Sequence, residues 1–218
     1  MFQDNNVIFE FRGPFGVPVQ IGSSIMLLVM VFLFFGSNAT QIYYNAIFLA
    51  LLIGSIFLHE LGHAWGTIVQ GIPVRRIMIY GGGGFCERSR SASVKQDELI
   101  VAMGPIVNLV IWALASLSLP YLPAGQLMWA VNTLAWINLF LAGFNMIPVM
   151  PLDGGKLFQF ALMRIMSPGM ATRVSGGVGL VIAVLWIPMM MLSYFTFGLV
   201  LFFIPPIGLH LQMLRRKI

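Results

Sequence analysis

The chain has 218 residues, 59% of them hydrophobic and only 9% charged, with a formal net charge of +5. Ordinary soluble domains are about a quarter charged, and a soluble fold of this length could not hide so much apolar surface, so the composition points to a bilayer rather than water as the main solvent. The mean hydropathy of +0.91 agrees. The cations lie between and beside apolar runs, so they are read as topology determinants and no nucleic-acid partner is expected. Cys86 is the single cysteine, so no intrachain disulfide can form.

A membrane-crossing helix needs about 20 mostly apolar residues, and six such stretches are expected. The first runs from about Val17 to Phe35. Asp4 and Glu10 precede it and no small-residue cleavage site follows, so it is read as retained rather than as a signal peptide. The second runs from about Ile42 to Val69. Gly71 to Phe85 is too short to span and holds Pro73 and the Gly81 to Gly84 run. Its β-favouring residues Val74, Ile77, Ile79 and Tyr80 predict a short strand or hairpin associated with the membrane. The third span is about Leu99 to Leu119 and the fourth about Leu127 to Ile147, with Trp129 as an interface anchor. Val174 to Leu214 holds two more, turning near Tyr194 to Gly198 and kinked by Pro188 and by Pro205-Pro206. The expected fold class is therefore an all-α membrane protein of about six transmembrane helices with a short β element after the second. It forms one domain over residues 1–218, with its core at about 42–155.

Six spans place all 12 Lys and Arg on one side of the membrane. They are Arg12; Arg75, Arg76, Arg88, Arg90 and Lys95; Lys156, Arg164 and Arg173; and Arg215, Arg216 and Lys217. The positive-inside rule then puts both termini in the cytoplasm. Five spans would put the last three on the wrong side.

The second span contains His59-Glu60-Leu61-Gly62-His63. Residues i and i+4 share a helix face about 5–6 Å apart, so two imidazoles can hold one metal ion. Glu60, beside them, can reach a water at that metal; this is the H-E-x-x-H pattern, in which the Glu is a general base. Three ionisable side chains within one turn of a membrane helix are costly and need a common purpose. A catalytic zinc commonly takes three protein ligands. His210, near Arg215, reads as an interfacial or core histidine. Asp153 follows Pro148 and Pro151, which break the fourth helix and force an extended segment; it reads equally well as a ligand and as the N-cap of the stretch Lys156 to Met166. Asn108 is either a packing residue or a support for the site, and Cys86 and Glu87 read as loop residues.

Together these motifs resemble the site-2 protease family of intramembrane zinc metalloproteases. The resemblance rests on His59 to His63, the glycine turn Gly81 to Gly84, Gly104-Pro105-Ile106-Val107-Asn108, and Asn145 to Gly155 with its Leu152-Asp153-Gly154. It covers about Ile53 to Gly155. It implies one Zn2+ held by His59, His63 and Asp153, and Glu60 activating the water. It also implies that Asn145 positions the substrate or stabilises the oxyanion, and that the glycine turn, with Gly82 and Gly83, pairs with unwound substrate. Met150 stands where one family pattern has a proline. The length leaves no room for the PDZ or C-terminal regulatory domains of some relatives, so a minimal form nearest the sporulation-type branch is expected.

The implied partners are a transmembrane protein substrate, the lipid bilayer and a regulatory membrane protein. The implied location is a bacterial or archaeal plasma membrane. Two other functions compete: a membrane metal transporter, and a relative that binds membrane proteins without cutting them. A transporter would more naturally show ligands along a pathway and internal symmetry between its halves, and neither is visible; the intact Glu60 argues against the silent relative.

Overall fold

A computed structural model describes residues 6–34, 36–197 and 203–215. The chain divides into two compact units, Phe2–Phe144 and Asn145–Ile218.

The first unit opens with strands β1 (Val7–Arg12) and β2 (Pro18–Gly22) and a ten-residue helix, α1 (Ile25–Phe34). The single span expected from Val17 to Phe35 is thus a strand followed by a short helix. Pro18 suits a strand's first position, and a turn at Ser23-Ser24 separates the two elements. The end of that expected span, Phe35, lies outside the described residues.

Helix α2 (Ala39–Val69) follows. Asn38 caps it, its Oδ1 accepting from the Gln41 amide at 2.9 Å, which satisfies one of the orphan donors of a first turn. At the other end Gly71 adopts φ +69. The Gly71 amide donates to the Ile68 carbonyl at 2.9 Å and the Ile72 amide to the Thr67 carbonyl at 3.1 Å. That pair of bonds is a Schellman motif, with glycine at the left-handed position and a buried apolar residue, Ile72, behind it. Pro73 then excludes further helix.

Strands β3 (Val74–Tyr80) and β4 (Gly83–Arg88) form the expected hairpin. They complete a four-stranded sheet in the order β1-β2-β3-β4. The β2–β3 pair is parallel and the outer pairs are antiparallel. An all-α description is therefore corrected: half of the sheet comes from the N-terminal stretch. Val17, Val19, Ile25, Ala64, Ile77 and Ile79 form a buried cluster, so the sheet packs its apolar face on α2. On the polar side Arg76 Nε donates to Glu87 Oε2 at 2.7 Å and Arg75 Nη1 to Glu87 Oε1 at 3.4 Å. These two guanidiniums hold the Glu87 carboxyl below its usual pKa.

Helix α3 (Val94–Ser118) starts with a Ser93–Gln96 capping box and α4 spans Gln126–Asn145. Helices α2 and α3 approach closely. A Cβ at Gly62 would lie 2.7 Å from the Met103 carbonyl oxygen, and one at Gly66 3.1 Å from Ile100 Cα, so small residues permit this crossing.

The second unit contains α5 (Asp153–Leu162), α6 (Pro168–Phe197) and α7 (Ile207–Leu214). Helix α6 continues through Pro188. The turn expected near Tyr194 to Gly198 is helix as far as Phe197, and Gly198 lies outside the described residues, as do Arg216 and Lys217. Trp186 Nε1 donates to the Phe203 carbonyl at 2.7 Å. Among the described residues four helices are long and apolar enough to cross a membrane: Ala39–Val69, Val94–Tyr121, Gln126–Asn145 and Pro168–Leu192. The other two expected spans correspond to the strand-plus-helix at the N-terminus and to α7.

Candidate metal centre

Helix periodicity brings His59 and His63 onto one face of α2. Their rings meet edge to face, with Nε2 to Nε2 at 3.1 Å. His63 Nδ1 donates to the Ile100 carbonyl at 2.8 Å, and His59 Nδ1 lies 2.5 Å from Asn108 Oδ1. A carbonyl can only accept, so each Nδ1 carries the hydrogen and each Nε2 holds a lone pair. Two inward-facing lone pairs at this distance repel unless a cation lies between them. Such a donor set fits a divalent metal that takes neutral imidazole, with its other nitrogen hydrogen-bonded outward.

Space for an ion is kept by Gly104 on α3. A Cβ there would stand 2.5 Å from His63 Nε2 and 2.6 Å from His59 Nε2. Gly104, in the motif Gly104 to Asn108, suits a close helix approach; its contacts also make it the floor of the histidine pair. Glu60 and His59 are buried. Glu60 packs against the edge strand: a Cβ at Gly84 would come within 2.6 Å of Glu60 Cγ. Gly84, rather than Gly82 or Gly83, is therefore the glycine that admits the carboxylate. Gly82 abuts the Tyr80 ring, and Gly83, which opens β4 after the turn, takes φ +130. A gap left by a glycine shows only once its neighbours are located, which is why the sequence placed Gly84 and Gly104 in motifs without linking them to Glu60 and the histidines.

Beyond His59, Asn108 continues into a buried polar chain. Asn108 Nδ2 donates to Asn138 Oδ1 at 2.7 Å, and Asn138 Nδ2 donates to Ser55 Oγ at 2.9 Å. Asn138 and Ser55 were not singled out in the sequence. Their only signal was polarity inside apolar spans.

Asp153 and Asn145 belong to the second unit. Asn145 ends α4, and Asp153 is buried in the first turn of α5. The N-cap of α5 is Leu152, with no side-chain cap bond, so Asp153 is not the cap. The two glycines after it are required by packing. A Cβ at Gly154 would collide with the Met146 backbone, and one at Gly155 would lie 2.7 Å from the Val149 carbonyl. The start of α5 is thereby seated on the segment 146–150. His210 is fully buried and its Nε2 donates to the Met150 carbonyl at 3.3 Å, so this histidine holds the same segment from α7.

The model of Peptidase family M50 matches residues 47–124 and 122–187. The chain belongs to peptidase family M50. The Synechocystis sp. protein sll0528 is 32% identical over 197 residues, covering 82% of this chain and 51% of its own length. Zinc metalloprotease MJ0392 of Methanocaldococcus jannaschii is 25% identical over 180 residues, covering 82% and 52%. The chain thus spans about half the length of these relatives. The structure of a site-2 protease from Methanocaldococcus jannaschii superposes with a TM-score of 0.66 at 21% identity, covering 95% of this chain and 92% of that one. That likeness fixes the fold as a site-2 protease fold. Its apolar helices make this family M50 chain an integral membrane protein.

Proposed function

We propose that this chain is an intramembrane zinc endopeptidase that hydrolyses peptide bonds in or near the transmembrane segments of other membrane proteins. The observation that carries the reading is the pair of His59 and His63 Nε2 lone pairs, 3.1 Å apart with both Nδ1 atoms committed outward. His59, His63 and Asp153 would hold the ion, one zinc per chain. Asp153 is supported by its buried place after the proline-bounded segment and by the family resemblance. When bound, zinc supplies Lewis acidity to a water and to the scissile carbonyl.

Glu60 takes a proton from the attacking water and delivers it to the leaving amine. Its burial against Gly84 keeps the carboxylate at the sheet edge. Among the described residues strand β4 has one neighbour, β3, so its other edge offers backbone donors and acceptors to an extended peptide. A substrate helix must unwind to use that edge, because its amides are otherwise bonded within the helix. Gly82 and Gly83 allow the turn beside it, and Asn145 positions the substrate or the developing oxyanion. The working assembly is one domain in a bacterial or archaeal plasma membrane. Both termini are cytoplasmic, and a regulatory membrane protein is a candidate partner beside the substrate.

The test measures zinc per chain and cleavage of a membrane-bound substrate together. Wild type should hold about one zinc, His63→Ala and Asp153→Asn little, and Glu60→Gln the full amount with cleavage lost. Absence of any divalent metal from repleted wild type would overturn the reading. Zinc flux into sealed vesicles without cleavage would instead favour a transporter.

A further inference from the structure

We propose that Asn138 and Asn108 form a one-way hydrogen-bond relay that sets the tautomer of His59, making both asparagines positioning residues for the metal centre. The inference rests on the metal-centre reading above, and its test is built to fail separately.

The relay starts at a main-chain atom. Asn138 Nδ2 donates to the Leu134 carbonyl at 2.9 Å as well as to Ser55 Oγ. A backbone carbonyl only accepts, so this bond decides which end of the Asn138 amide is nitrogen. Oδ1 of Asn138 must then face Asn108 and can only accept from it. Asn108 meets that demand with Nδ2, at 2.7 Å. Its own Oδ1 is left facing His59 Nδ1 at 2.5 Å. Nδ1 must therefore carry the hydrogen, and the lone pair falls on Nε2, the atom turned towards His63. Each link removes one choice from the next. Asn108 and Asn138 are 0% exposed and Ser55 is 1% exposed, so bulk water cannot substitute for a lost link.

Helix packing alone is the competing role, since buried asparagines bind membrane helices together. It requires hydrogen bonds across the α2, α3 and α4 contacts but is indifferent to their direction. Direction is therefore what the experiment reads.

Leucine and aspartate at each position separate the two roles. Asn138→Leu removes the acceptor that orients Asn108, whose amide is then free to turn its nitrogen to His59. Asn108→Leu removes the acceptor for Nδ1 outright. Asn138→Asp keeps an acceptor for Asn108, and Asn108→Asp keeps one for His59. Histidine 15N spectra of metal-free protein in detergent report the tautomer, and the chain has only 3 His to assign. Zinc affinity is measured by chelator competition on the folded, monodisperse fraction.

Wild type and both aspartate variants should show His59 protonated on Nδ1. Both leucine variants should lose that preference and bind zinc about ten- to a hundredfold more weakly, the range usual for outer-shell partners of a ligand histidine. If the folded leucine variants keep the wild-type tautomer and affinity, the relay is overturned while the metal centre stands. If wild type and His63→Ala bind zinc alike, the metal-centre reading falls. The 15N spectra then judge the hydrogen-bond relay alone: the wild-type Nδ1–H tautomer, lost in the leucine variants, upholds it, and an Nε2–H tautomer in wild type overturns it.

Discussion

At the scale of residues, two glycines separate metal binding from catalysis. Gly104→Ala places a methyl group where the two Nε2 atoms converge, 2.5 and 2.6 Å from them. We expect zinc affinity to fall at least about tenfold, read by chelator competition, because a van der Waals contact between carbon and nitrogen needs about 3.5 Å. Gly84→Ala crowds Glu60 Cγ instead, at 2.6 Å. It should leave zinc bound and reduce cleavage by about two orders of magnitude, since small displacements of a catalytic group cost about a hundredfold. Measuring zinc content and substrate cleavage on both variants checks the pair: zinc loss in Gly84→Ala, or its retention in Gly104→Ala, would contradict the assignment. The histidines and Glu60 were legible in the sequence because a five-residue pattern on a helix dictates which side chains share a face. The glycines act by leaving gaps, and Asn138 and Ser55 by meeting partners on other helices. No spacing in the chain announces either.

At the scale of elements, strand β4 carries a second probe. Burial pushes the Cys86 thiol up to about 12, with the Glu60 carboxylate adding to the shift and Arg88 opposing it. An ordinary cysteine has a pKa of about 8.5, so folded protein near neutrality should hold about a thousandfold less Cys86 thiolate. Alkylation should be correspondingly slow at pH 8, accelerate as pH rises towards 12, and become fast on denaturation. Rapid labelling of the native protein at pH 8 would mean that β4 is not packed as described. The hairpin was legible from Val74, Ile77, Ile79 and Tyr80 and from the glycine run, but Cys86 and Glu87, which read as loop residues, lie in strand β4 because they pair with Ile77 and Arg76. Strand β2 was not legible. Hydropathy sums over a window, and the window from Val17 to Phe35 is apolar whether Pro18 to Gly22 is strand or helix. Only the pairing of Val19, Gln20 and Ile21 with Ile77, Met78 and Ile79 decides between them.

At the scale of the whole molecule, hydropathy made the four long helices legible, because a bilayer demands length and apolarity of any helix that crosses it. Helix α3 joins a basic segment to a connection without charge, and Ser91 and Ala124 flank it in exposed positions. In a Cys86→Ser background, cysteines at these two sites should label from opposite faces of sealed vesicles, with Ser91→Cys reached from the cytoplasmic face. Labelling of both from one face would refute the topology. The count of spans was less legible than their existence. Short apolar helices such as α1 and α7, with 10 and 8 residues, satisfy a hydropathy window when joined to apolar neighbours of other structure.

The two histidines are each tethered, directly or through amides, to a main-chain oxygen: Ile100 for His63 and Leu134 for His59. Any amino acid supplies such an oxygen. Positions 100 and 134 can therefore drift in sequence without disturbing which imidazole nitrogen stays basic, and neither anchor can be silenced by ionisation. A search for invariant polar residues would pass over both, although the chemistry of the centre begins at them.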